Sequence, residues 1–132
     1  VTTFYVDTSV LGRVLLRHSP PALSWFEDAA EQGALVSSRL LRTEMTRLVR
    51  REGLRMRDRD EILDYVATIP LDHPVLMEAE AIVPHVRTLD AIHLASALRA
   101  GIEDLVVATH DARMLDVAEI MGFRVVDPCV AP

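Results

Sequence analysis

A chain of 132 residues that is 50 % hydrophobic and 26 % charged holds one folded domain, not a disordered or fibrous polymer. No apolar run approaches the roughly 20 residues of a membrane span, and no basic segment followed by an apolar stretch opens the chain as a signal peptide would. A single cysteine, Cys129, excludes a disulfide scaffold and a thiolate-rich zinc site, so the expectation is one soluble cytoplasmic domain over residues 1–132.

The elements alternate. Thr3–Val6 reads as a buried strand ended by Asp7-Thr8-Ser9, and Val10–Arg17 as a helix. Ser19-Pro20-Pro21 starts a second helix that Gly33 stops, and Leu35–Ser37 is a short strand. Arg39–Arg51 is a helix with Leu41, Met45, Leu48 and Val49 on one face, and Arg57–Thr68 is another. Ile69-Pro70-Leu71 fits an edge strand, because proline removes a ladder donor. Helices follow over Pro74–Ile82 and Thr88–Leu98. Leu105–Ala108 is the clearest buried strand, then a helix over Ala112–Met121 and a strand over Phe123–Val126. Strands separated by helices require crossover connections, so the fold class is α/β: a single three-layer α/β/α domain on a mostly parallel sheet of about five strands.

Charge is unevenly spread. The net charge is −6, which argues against a general nucleic-acid coat, yet eight of the fourteen arginines fall between Arg39 and Arg59 and make that segment locally +5. Such a run is either a solvated helix face or a track for phosphates or an acidic partner.

Ligands of parallel sheets bind beyond the carboxyl ends of the strands. Asp7 follows the first strand directly, and Asp111 follows Leu105–Ala108 after Thr109 and His110. Glu44 and Asp90 interrupt apolar helices, where a carboxylate is costly without a cation or donor. Each acid also has an ordinary reading. Asp7, Asp90 and Asp111 suit helix caps, and Glu44 could pair with Arg47 one turn on. Together, two acids at strand ends and two on apolar helix faces favour a metal site, with oxygen ligands that suit Mg²⁺ or Mn²⁺ rather than zinc.

Tyr5-Val-Asp-Thr-Ser-Val10, Glu44, Leu89-Asp-Ala-Ile-His-Leu-Ala-Ser-Ala97 and Ala108-Thr-His-Asp-Ala-Arg-Met-Leu115 resemble a PIN domain, and the size and full-length match resemble a VapC-type toxin of a type II toxin–antitoxin pair. The resemblance implies a Mg²⁺-dependent endoribonuclease with the acidic quartet Asp7, Glu44, Asp90 and Asp111. Asp7, Asp90 and Asp111 would be its metal ligands, Asp116 an auxiliary or alternative to Asp111, and Ser9 and Thr109 donors that fix carboxylate rotamers. It further implies a small antitoxin wrapping the helix around Leu40–Val49, and a homodimer. Arg42, Arg47, Arg50 and Arg87 are the candidates for RNA or antitoxin contact. His93 is read as buttressing its helix, Trp25-Phe26 as core or interface, and Cys129 is given no role. The rival readings are a catalytically inactive PIN-fold module that binds RNA or protein, a DNA-directed nuclease, and a phosphoacceptor receiver domain. The last would want a lysine opposite the acids, and the chain has none.

Overall fold

The computed structural model describes residues 1–131. Along these run β1 (Phe4–Val6), α1 (Thr8–Leu16), α2 (Pro20–Glu31), β2 (Leu35–Ser38), α3 (Arg39–Glu52), α4 (Met56–Leu63), β3 (Ala67–Ile69), α5 (His73–Glu80), α6 (Thr88–Arg99), β4 (Val106–Ala108), α7 (Ala112–Ile120) and β5 (Arg124–Val126). The strands stand in the order β3-β2-β1-β4-β5 and every pairing is parallel.

Successive strand residues point to opposite faces, and the core divides accordingly. Val6, Leu35 and Ala108 join Val10, Leu11, Phe26, Leu41, Met45 and Ile62 on the face covered by α1 to α4. Tyr5 and Val107 join Leu94, Ala97, Met114 and Val117 on the face covered by α6 and α7. The sheet is therefore the middle of three layers. No described helix is long and apolar enough to cross a membrane.

Local chemistry sets the helix ends. The Ser19 hydroxyl accepts the Ala22 N–H at 3.2 Å ahead of Pro20 and Pro21, and the Ser38 hydroxyl accepts the Leu40 N–H at 3.0 Å to open α3. Gly53, at φ +65°, closes α3 in the left-handed conformation. One expectation needs correction. The helix read over Arg57–Thr68 stops at Leu63, and the strand that follows is Ala67–Ile69 rather than Ile69–Leu71. Proline disfavours helical backbone in the residue before it, and Val66, Thr68 and Ile69 are β-branched, so the stretch ahead of Pro70 pairs with β2 instead.

The chain goes from β1 to β2 and β3 on one side, then returns past β1 to enter β4 on the other. This reversal opens a crevice beyond the carboxyl ends of β1 and β4. Gly12 sets how closely α3 approaches it, because a Cβ there would meet Leu48 Cδ2 at 3.1 Å. Gly12→Val is expected to destabilise the protein by about 1–3 kcal/mol, read as a lower urea midpoint. Gly12→Ala, which gains helix propensity, is expected to be close to neutral. A neutral valine variant would show that α1 and α3 have slack at this contact.

Candidate active site

The crevice is a groove of about 940 Å³ lined by Asp7, Glu44, Asp90 and Asp111, with Arg13, Arg47, Arg51 and Arg87 among the basic residues around it. Four elements deliver the acids. Asp7 leaves β1, Asp111 opens α7 after β4, Glu44 lies within α3, and Asp90 is in the first turn of α6.

Asp7 is 3 % exposed. It precedes α1 but makes no side-chain capping bond, so the helix does not consume its carboxylate. Instead Ser9 Oγ donates to Oδ1 at 2.7 Å and Thr109 Oγ1 donates to Oδ2 at 2.7 Å. These hydroxyls are themselves oriented by backbone donors: His110 N–H reaches Ser9 Oγ at 2.8 Å and Asp111 N–H reaches Thr109 Oγ1 at 3.1 Å. Register explains the pairing, because Val6 lies opposite Ala108 and so Asp7 abuts Thr109. Burial pushes the Asp7 carboxyl above the usual aspartate range, and the two hydroxyl bonds only partly offset it.

Glu44 is held differently. Thr8 Oγ1 donates to its Oε1 at 2.7 Å, and His93 Nε2 lies 2.6 Å from the same oxygen. The Tyr5 hydroxyl sits 2.7 Å from His93 Nδ1. Burial pushes the Tyr5 hydroxyl far above its ordinary range, and His93 bridges that hydroxyl and the Glu44 carboxylate through its two ring nitrogens. Burial works against the Glu44 carboxylate, but the bonds from His93 and Thr8 outweigh it and bring its pKa down. The two acids are thus tuned in opposite directions within one groove. Glu44 has no pairing with Arg47.

Arg87 joins the remaining acids, its Nε 3.0 Å from Asp90 Oδ2 and its Nη2 2.9 Å from Asp111 Oδ2. Its side chain is 75 % exposed. Asp111 also caps α7 through Met114 N–H at 2.9 Å, whereas Asp90 lies inside the first turn of α6 and Arg87 takes the cap position. Arg87→Gln is expected to tighten divalent-cation binding roughly threefold to fivefold, since two weak, solvent-screened ion pairs compete with the cation for Asp90 and Asp111. The midpoint of thermal stabilisation against Mg²⁺ or Mn²⁺ concentration reads it, and an unchanged midpoint would show that the guanidinium does not compete.

The donors fit a hard cation. The facing groups are carboxylate oxygens, and neither Asp90 Oδ1 nor Glu44 Oε2 takes a bond from the described residues. Among the described residues no three of the four acids bring oxygens mutually within 4.8 Å, so a cation there would be held by few direct carboxylates and completed by water.

Other expected residues fall elsewhere. Asp116 is exposed on α7 and does not line the groove, and Arg42 and Arg50 lie on the exposed outer face of α3 beyond it. Arg51, one of the eight arginines of the 39–59 segment, lines it as well, as do Thr8 and Arg13, to which the sequence reading gives no site role. Thr8 is concealed by its place in a stretch that reads as a helix cap.

A PIN-domain family model matches residues 4–120. The chain belongs to the PIN-domain family. Within it the resemblance is to VapC-type ribonucleases, and two curated relatives align over 130 residues each. Ribonuclease VapC47 of Mycobacterium tuberculosis (strain CDC 1551 / Oshkosh) is 34 % identical, over 94 % of this chain and 96 % of that protein. Ribonuclease VapC46 of Mycobacterium tuberculosis (strain ATCC 25618 / H37Rv) is 32 % identical, over 97 % and 99 %.

Proposed function

We propose that the protein is the toxin of a type II toxin–antitoxin pair, an endoribonuclease that hydrolyses RNA phosphodiesters with a divalent cation at Asp7, Asp90 and Asp111. One observation carries this reading: four carboxylates from four separate elements face a single groove whose rim is arginine. Without a cation that convergence is repulsive. The names of the relatives, both ribonucleases, support the same reading.

A bound Mg²⁺ or Mn²⁺ would supply a water of lowered pKa and offset charge on the phosphate. The chain's own residues do the rest. Ser9 and Thr109 fix the Asp7 carboxylate, Asp90 and Asp111 would join it in holding the cation, and Glu44, bonded by His93 and Thr8, would accept a proton from the attacking water. Arg87, Arg47 and Arg51 on the rim would take RNA phosphates, Arg87 exchanging its bonds to Asp90 and Asp111 for a phosphate. The arginine-rich α3, with Leu40 and Leu48 at the groove, suits a small antitoxin that brings both apolar and acidic side chains. A homodimer would join two grooves along one RNA.

The test is cleavage of total cellular RNA by antitoxin-free protein with Mg²⁺ or with EDTA, beside Asp90→Asn. Discrete fragments that require both the metal and Asp90 are expected. Folded, metal-loaded protein that binds RNA without cutting it would instead make the chain a PIN-fold binding module.

A further inference from the structure

A second cluster of metal-binding side chains lies outside the groove. His110 sits in the loop after β4, and Asp127 and Cys129 sit in the segment after β5; each brings a ligand atom to within 4.8 Å of the other two. All three are half-buried, and none lines the groove.

The cluster is ordered by its own backbone. Asp127 Oδ1 accepts the Cys129 N–H at 2.9 Å, the Val130 N–H closes a turn on the Asp127 carbonyl at 3.3 Å, and Pro128, buried between the two ligands, restrains the turn. His110 Nδ1 is 2.8 Å from Asp127 Oδ2 and 3.1 Å from Oδ1.

We propose that His110, Asp127 and Cys129 form a site for a thiophilic divalent cation of the zinc class, distinct from the oxygen-lined groove. One imidazole, one carboxylate and one thiolate are zinc ligands, whereas Mg²⁺ prefers oxygen alone. The two anionic ligands balance the charge of the cation. Ligands on tetrahedral zinc, at about 2.0–2.3 Å from the metal, stand roughly 3.3–3.7 Å apart. The His110–Asp127 contact therefore has to open by about 0.5–0.9 Å, with the cation taking the place of the hydrogen bond, the imidazole proton carried on Nε2 and the Cys129 thiol proton released to solvent. The fourth position is left to water.

Occupancy would tie the turn after β5 to the loop after β4. That loop carries Thr109, which holds Asp7, and Asp111, which faces Arg87. The inference does not depend on the ribonuclease reading, because it concerns metal binding alone.

The experiment titrates Co²⁺, then Zn²⁺, into the 132-residue chain after metal removal, under a non-thiol reductant. A near-ultraviolet thiolate-to-cobalt band that saturates at one equivalent is expected. Zn²⁺ should bleach it, and excess Mg²⁺ should not. Cys129→Ser should abolish the band, and both Cys129→Ser and His110→Gln should weaken Zn²⁺ binding at least about tenfold, while Asp90→Asn leaves it intact. Circular dichroism confirms folding of each variant, and His110→Gln decides the matter if Cys129→Ser fails to fold. Absence of the band, its loss in Asp90→Asn, or equal Zn²⁺ affinity in the wild type and both ligand variants would overturn the proposal. The three residues would then only latch the chain end by hydrogen bonds.

Discussion

Asp7→Asn is expected to lower metal-dependent RNA cleavage by about a thousandfold while raising the melting temperature of the metal-free protein. The loss corresponds to about 4 kcal/mol, the scale of the charge stabilisation that a correctly held cation gives a phosphoryl transition state. The gain comes from burial. Asp7 is 3 % exposed, and its hydroxyl donors do not offset the cost of an ionised carboxylate there. Replacing that buried charge with a neutral amide of the same shape removes its desolvation cost, and each kcal/mol regained reads as roughly 4 °C in Tm for a chain of this size.

The pH dependence follows from the direction of the shift. The Asp7 pKa is raised in the folded state, so the native protein holds a proton that the unfolded chain releases near pH 3.9. Between that value and the folded one, wild-type stability falls as pH rises, and above it the loss is constant. The advantage of Asp7→Asn should therefore be full above the folded-state pKa and vanish in acid below about pH 3.9. Melting curves across pH under EDTA, paired with RNA cleavage at neutral pH, read both parts. A variant that is inactive and also destabilised at neutral pH would show that Asp7 holds the fold together, not a cation.

His93→Ala is expected to destabilise the protein by about 3–4 kcal/mol, a fall of roughly 12–16 °C in Tm. His93 is 2 % exposed and bonds both Tyr5 and Glu44. Its removal leaves a cavity, an orphaned Tyr5 hydroxyl and a Glu44 with only Thr8 as donor. His93→Gln, which offers one donor and one acceptor, should retain most of the stability. Tyr5→Phe with His93→Ala should be markedly less destabilising than the sum of the single changes, since one bond is lost in both. Glu44 adds a pH signature: its lowered pKa gives stability that is present above the ordinary glutamate value and lost as pH falls through the folded one. Part of the His93→Ala deficit should therefore disappear in acid. An alanine variant as stable as wild type would mean that the Tyr5–His93–Glu44 chain carries no net energy.

What the sequence determined by itself was the alternation of strands and helices, and with it the parallel three-layer sheet, because these rest on local periodicity, caps and turn residues. It also placed Asp7 and Asp111 at strand ends, since Asp7 follows an apolar run directly and Asp111 follows one after Thr109 and His110. The boundary between α4 and β3 escaped it, because the stretch before Pro70 has its strand conformation settled by pairing with β2. The partners of the acids were likewise set by tertiary structure. Thr109 reaches Asp7 only because β4 lies in register beside β1, and His93 meets Glu44 only because α6 and α3 come together at the same edge. Arg87, a candidate for RNA or antitoxin contact, also stands between Asp90 and Asp111, contacts 3 and 24 residues away in the chain. The turn that carries Cys129 toward His110 is of the same kind. Spacing along a chain fixes which face a residue shows, but strand order and register decide which distant side chain it meets.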